Sequence, residues 1–302
     1  MTNWSQKVLQ ILTADTNDLQ ELAELVGGDP KSFYQFTRLG DLDLTNQNIS
    51  NMKFLDNDSV KYPVLDVPVV DPKIQLKAEK HAKSLLTKNL PIPDEIGKFV
   101  RNISLMSSIF NDCSLLKNAP WIQNLDLDGT SIVDVSELSS QLSLELLDMQ
   151  GTDIVDISPL ERLLKLETLL LPNTQVVDIS ALKDLSNLQH LYLNNTQLDD
   201  ISALKNLSNL QHLNLNNTQL DDISALKNLS NLETLYLNNT QLDDISALKN
   251  LSNLQHLYLK NTQLDDISAL ENLSNLKTLD IRNSKVSDVS GLSHLSGLVI
   301  TR

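Results

Sequence analysis

The sequence predicts an α/β fold, a solenoid with a parallel inner sheet preceded by a small, mostly helical N-terminal region. Three observations predict it. A 22-residue block recurs without a gap over the last two thirds of the chain. Within each block leucines hold fixed places, and two of them alternate strictly with polar residues. Before residue 97 the repeat is absent, and apolar residues fall at helical spacing instead.

The repeat is clearest at Leu185–Asn206, LSNLQHLYLNNTQLDDISALKN. Leu207–Asn228 differs from it at one position, and Leu229–Asn250 and Leu251–Asn272 at two each. The same register takes in Gly97–Asn118, Ala119–Ser140, Gln141–Arg162, Leu163–Asp184 and Leu273–His294. Nine units therefore fill 97–294, and eight residues of a tenth follow. With Leu185 as position 1, Leu188, Leu191, Leu193, Leu198, Ile201 and Leu204 fall at positions 4, 7, 9, 14, 17 and 20. Leu191 and Leu193 alternate with His190, Tyr192 and Asn194, which reads as a short strand buried on one face. One unit cannot bury its leucines alone; stacking the next about 4.8 Å away closes the core. In the most divergent unit the same places hold Val100, Ile103, Leu105, Phe110, Cys113 and Leu116. The one cysteine thus reads as a small buried hydrophobe, and no residue in the sequence supplies it with a base.

Each outer segment carries Asp at position 16 in all nine units, from Asp112 and Asp134 to Asp266 and Asp288. Asp ahead of Ile-Ser-Ala-Leu reads as a cap that satisfies the orphan backbone N–H groups of a short helical turn, in preference to a calcium ladder. Position 15 adds Asp199, Asp221, Asp243 and Asp265.

Composition narrows the function. The chain has 302 residues, 24 basic and 39 acidic, for a net charge of −15. That balance argues against nucleic acid and against an anionic membrane surface. A single cysteine leaves no disulfide framework and no multi-cysteine metal site. No apolar run is long enough to span a bilayer, and Met1–Leu12 lacks the apolar core of a signal peptide. The expected location is cytoplasmic, with export by a signal-peptide-independent route left open. No phosphate-binding glycine loop, zinc-ligand pair or nucleophile elbow is present, so a non-enzymatic protein without cofactor or metal is expected.

The run LxxLxLxxTxLxDISxLxxL resembles the 22-residue leucine-rich repeats of bacterial internalins, and is similar to those of a eukaryotic phosphatase-regulating protein. The resemblance covers about 200 residues. It implies a curved, right-handed leucine-rich-repeat solenoid that binds other proteins on its concave face. The sequence departs from the family at position 12, where Thr174, Thr196, Thr218, Thr240 and Thr262 replace the usual Asn. The leader and wall anchor of the surface-attached members are not expected for it.

The expected organisation is a helical region over 1–60, a linker and N-terminal cap helix over 61–96, and the solenoid over 97–302. Asn3–Thr13 and Asp18–Val26 have helical spacing. Leu39, Leu44, Ile49 and Phe54 then recur every five residues, a short pentapeptide-like run. Ile74–Thr87 reads as a helix carrying Lys77, Lys80, His81 and Lys83, either a solvated face or a docking site for an acidic partner. At the other end, Leu298 and Ile300 are expected to form an apolar strand edge through which the protein self-associates.

The outward strand positions 6, 8 and 10 are the candidate binding surface. Three of the five tyrosines, Tyr192, Tyr236 and Tyr258, share position 8 with Asn214. His190, His212 and His256 share position 6 with Thr234, and Lys260, Asp280 and Arg282 form a charged rim. Tyrosine offers a large rigid face and a polar tip, which suits protein interfaces. Among the four near-identical units only positions 5, 6, 8, 10 and 21 vary, and four of those five lie in or beside the strand. A histidine pair at neighbouring rungs invites a metal, but Thr234 interrupts the column, and stacked surface imidazoles are the simpler reading. The expected function is a protein-interaction module that binds a protein on the concave face. The alternative is a regulatory or host-directed effector whose N-terminal region acts separately while the repeats select the target.

Overall fold

The structure is a computed structural model and describes residues 72–302. The helices expected at Asn3–Thr13 and Asp18–Val26, and the five-residue run from Leu39, lie outside the described residues.

Helix α1 (Pro72–Leu86) opens with proline, whose fixed φ suits a first helical turn and whose missing N–H costs nothing there. Ile74, Ala78, Ala82, Leu85 and Leu86 form its buried stripe, and Ala78, Ala82 and Leu86 join the solenoid core. The helix lies on the first strand and finishes it chemically. Glu79 Oε1 accepts hydrogen bonds from the Asn102 backbone N–H at 2.8 Å, from the Arg101 N–H at 3.2 Å and from Asn102 Nδ2 at 2.9 Å. Those N–H groups would otherwise face outward along an open sheet edge. A one-turn helix α2 (Asp94–Gly97) then leads into the repeats. Gly97 stands at position 1, where most units have leucine. A Cβ there would sit 1.7 Å from the Asn118 carbonyl oxygen, so the close approach of the two chains requires glycine.

Ten three-residue strands, β1 (Asn102–Ser104) through β10 (Val299–Thr301), form one parallel sheet in sequence order. Strands β5 to β9 are His190–Tyr192, His212–Asn214, Thr234–Tyr236, His256–Tyr258 and Thr278–Asp280. The register advances by the repeat length from rung to rung: Leu191 pairs Leu213, which pairs Leu235. Leucines or equivalents at positions 4, 7, 9, 14, 17 and 20 of every full unit but the last are buried, in one continuous core from Ala78 to Leu292. This is a curved solenoid of leucine-rich repeats.

Three devices repeat along it. First, the position-12 threonines are buried, and each Oγ1 donates to the position-9 carbonyl three residues back at 2.7–2.8 Å, from Thr130 to Thr262. The hydroxyl therefore closes the turn where an amide would in the family pattern. Second, all nine position-16 aspartates accept the N–H of the residue two further on, at 2.7–2.9 Å, at the mouth of the outer 3-10 turn. The capping role expected for them is what the geometry provides. Third, position 11 lies at positive φ in every unit: Ser107, Gly129, Gly151, then Asn173, Asn195, Asn217, Asn239, Asn261 and Asn283. Asparagine tolerates this conformation, and here its side chains also form a ladder. Each Nδ2 donates to the Oδ1 of the preceding rung, from Asn195 to Asn283, at 2.5–2.9 Å. In the sequence this ladder shows only as a column of asparagines.

The tenth unit departs from the expected register. Val299 pairs Thr278 and Ile300 pairs Leu279, one residue earlier than the repeat length gives. Ile300, at nominal position 6, therefore takes the inward place of a position-7 leucine, and Gly297 at φ 87° takes up the shortened path. Val299 and Thr301 are the exposed members of this last strand.

Candidate functional site

The concave face is built by the outward positions of β1–β10. Because the register is constant through β9, equivalent residues form straight columns. His190, His212, Thr234, His256 and Thr278 lie in one, and Tyr192, Asn214, Tyr236, Tyr258 and Asp280 in the next. Strand spacing sets the contacts. The His190 and His212 rings stack with centroids 4.8 Å apart and planes 14° apart. Tyr236 and Tyr258 stack at 4.5 Å and 5°. Both distances match the separation of neighbouring strands, which places identical side chains face to face.

Stacking changes the expected exposure. The tyrosines and histidines of these columns are half-buried rather than freely exposed. Two expected surface residues are withdrawn further: Thr234 and Asp280 are each 6% exposed. Thr234 has a short side chain between taller histidine neighbours. Asp280 lies beneath Arg282, whose Nε and Nη2 donate to its two carboxylate oxygens at 2.9 and 2.6 Å. The charged rim is thus a bidentate ion pair in which Arg282 alone stays open, its side chain 47% exposed. His256 is also engaged, its Nδ1 being 3.1 Å from Thr278 Oγ1.

Position 10 divides in the same way. Asn216 Oδ1 accepts the Asn238 N–H at 2.7 Å, and Asn238 Oδ1 accepts the Lys260 N–H at 2.8 Å. These two amides tie rungs together, while Lys260 and Arg282 put cations at the same place on the rungs of β8 and β9. At the opposite end, on β2 (Asn124–Asp126) and β3 (Leu146–Asp148), the face is acidic. Asp126 accepts Ser104 Oγ at 2.8 Å, and Asp128 and Asp148 stand beside it. This acidic end is visible in the sequence at positions 8 and 10 of these units.

The electrostatics follow burial. Partial burial lowers the His190 pKa, and His212 lowers it further. Burial, then Tyr258 and Tyr192, raises that of Tyr236. Burial raises Asp148, opposed by a backbone N–H and helped by Asp126 and Asp128. The Arg282 side chain holds Asp280 below the usual carboxylate range. Stacked imidazoles, stacked phenols and a guanidinium paired with a carboxylate thus line this face. Among the described residues no three His, Cys, Asp or Glu side chains converge to hold a metal ion. Cys113 is buried, and burial, with Asp112, Asp134 and Glu137 nearby, pushes its thiol up to about 12. Among the described residues no helix is long and apolar enough to cross a membrane.

Comparison with known proteins agrees with this architecture. The family model "Leucine Rich repeats (2 copies)" matches residues 164–206, 208–250 and 252–294. No curated protein sequence matches the chain. Internalin C2 of Listeria monocytogenes is 28% identical over 74% of this chain and 92% of its own, with a TM-score of 0.59. A leucine-rich-repeat protein of Leptospira interrogans is 22% identical over 73% of this chain and 68% of its own, with a TM-score of 0.59. A plant peptide hormone receptor, RGFR1, solved in complex with RGF2, is 22% identical over 69% of this chain and 36% of its own, with a TM-score of 0.60. The last two likenesses speak for the fold alone. The chain carries 22-residue leucine-rich repeats, and in repeat and fold it is similar to a bacterial internalin.

Proposed function

We propose that the chain is a protein-interaction module without catalytic activity, and that it binds a protein partner on the concave face of β5–β9. One observation carries the reading. Tyr192, Tyr236 and Tyr258 lie in a single column with two of them stacked, half-open to the face and flanked by half-buried histidines. Stacking fixes the rings before a partner arrives, which removes part of the ordering cost of binding. Partly open aromatic side chains beside an exposed Arg are the composition of protein contact surfaces. Within the nine full units Lys260 and Arg282 supply the only Lys or Arg charge on outward positions 6, 8 and 10. His190, His212, His256 and Asn214 fill out the contact area, while Thr234 and Asp280 shape it from beneath. Self-association through β10 remains a separate proposal, resting on the exposed Val299 and the partly open Ile300.

The test is a comparative pull-down from source-cell lysate, read by mass spectrometry, with wild type beside a Tyr192→Ala, Tyr236→Ala, Tyr258→Ala variant checked for folding by circular dichroism. A protein retained by wild type and lost by the folded variant is the expected result. Equal retention by both would overturn the concave-face assignment.

A further inference from the structure

A second surface lies on the flank of the solenoid, where the chain leaves the inner strand and runs toward the outer turn. Position 14 is buried there, and positions 13, 15 and 16 face solvent on the middle rungs. Position 15 holds valine on three consecutive rungs: Val133, Val155 and Val177 are 59%, 52% and 49% exposed. On the next four rungs the same position holds Asp199, Asp221, Asp243 and Asp265, all exposed. Each of these stands beside the capping aspartate of position 16, so the column passes from aliphatic to doubly acidic.

The fold does not require valine at this place. Four rungs of nearly identical sequence carry aspartate there with the same strand, turn and cap. Three half-exposed aliphatic side chains in contiguous rungs are thus a surface feature with no structural demand behind it. Among the described residues no cation pairs with Asp199, Asp221, Asp243 or Asp265. The flank is straight-ruled: Gln219, Gln241 and Gln263 each donate a backbone N–H to the position-14 carbonyl of the preceding rung.

We propose that this flank docks an extended segment of a partner protein, aliphatic over Val133, Val155 and Val177 and bearing Lys or Arg over Asp199, Asp221, Asp243 and Asp265. Burying the valines supplies the apolar contribution, and the paired carboxylates select positive charge and set which way the segment runs. Six rung spacings of about 4.8 Å separate Val133 from Asp265, a span of about 29 Å that about nine extended residues cover. The surface is independent of the tyrosine column on the concave face.

The probe is a fluorescein-labelled synthetic peptide of about twelve residues. Its first half alternates valine with serine and its second half alternates lysine with serine. A charge-only control replaces the valines by serine. Fluorescence anisotropy with the full chain at about 0.15 M salt reads the affinities. The expected result is that the probe binds about tenfold more tightly than the control. The Val133→Ser, Val155→Ser, Val177→Ser variant should lose that advantage while binding the control as wild type does, and the tyrosine variant should keep it. Equal affinity of probe and control for wild type would overturn the proposal. So would undiminished probe binding by the valine variant, or loss of probe binding by the tyrosine variant. A valine variant with a lowered melting temperature or an altered sedimentation coefficient would also overturn it, by showing the column covered by this chain or a second copy.

Discussion

Replacing Asn217 separates two roles that asparagine combines in the ladder. Its Nδ2 donates to Asn195 Oδ1, and its Oδ1 accepts from Asn239 Nδ2, both at 2.5 Å. Its backbone stands at φ 58°. Asn217→Gly removes both exposed hydrogen bonds, about 0.5 kcal/mol each, and adds the backbone freedom of glycine in the unfolded chain, about 0.5 kcal/mol. The expected loss is about 1.5 kcal/mol. Asn217→Ala removes the same bonds and keeps a Cβ in the left-handed region without the polar side chain that makes asparagine tolerant of it, at about 1.5 kcal/mol, for a loss of about 2.5 kcal/mol. Glycine already occupies the equivalent place at Gly129 and Gly151, φ 62° and 64°, in rungs that fold in the same way. Urea unfolding followed by circular dichroism gives both values from the shift in midpoint at a shared m. An alanine variant as stable as the glycine variant would refute the reasoning, since it would mean that backbone conformation contributes nothing at this position.

Two further predictions concern titration and reactivity. Backbone and side-chain hydrogen bonds from Ser136, Ser180, Ser268 and Ser290 hold Asp134, Asp178, Asp266 and Asp288 below the usual carboxylate range. A lowered folded pKa means that stability is fully present above the ordinary value and is lost as pH falls through the folded one. The urea midpoint should therefore drop below about pH 4, against the opposite and single contribution of Asp148. Replacing these four aspartates by asparagine should flatten that decline, and an unchanged profile would remove the caps as its cause. Cys113, with its thiol pushed up to about 12, should resist a disulfide reagent at pH 8 in the native protein and react fully in denaturant. Rapid modification of the native protein would show that the first rung opens.

The repeat makes much of the fold legible in the sequence itself. A solenoid rung touches only its neighbours, so the place of Leu213 in its own unit fixes both its burial and its partners Leu191 and Leu235. Capping by the position-16 aspartates and turn closure by Thr196 and Thr218 were equally local, since acceptor and donor lie two or three residues apart. The ladder from Asn173 to Asn283 was present in the sequence as a column of asparagines. Its meaning needs two facts that sequence spacing does not carry, the positive φ and the contact across rungs.

The candidate surface shows the same division. Sequence alone set which residues share a column, because the register of the sheet equals the repeat length as far as β9. It could not set how open each residue is, because that depends on the size and pairing of side chains on neighbouring strands. Thr234 sinks between histidines, Asp280 is drawn under Arg282, and Tyr236 and Tyr258 screen each other by stacking. The slip at β10 is of the same kind. The sequence placed Ile300 at an outward position, and only pairing with Leu279 turned it inward, because burying an aliphatic side chain outweighs keeping the count of the repeat.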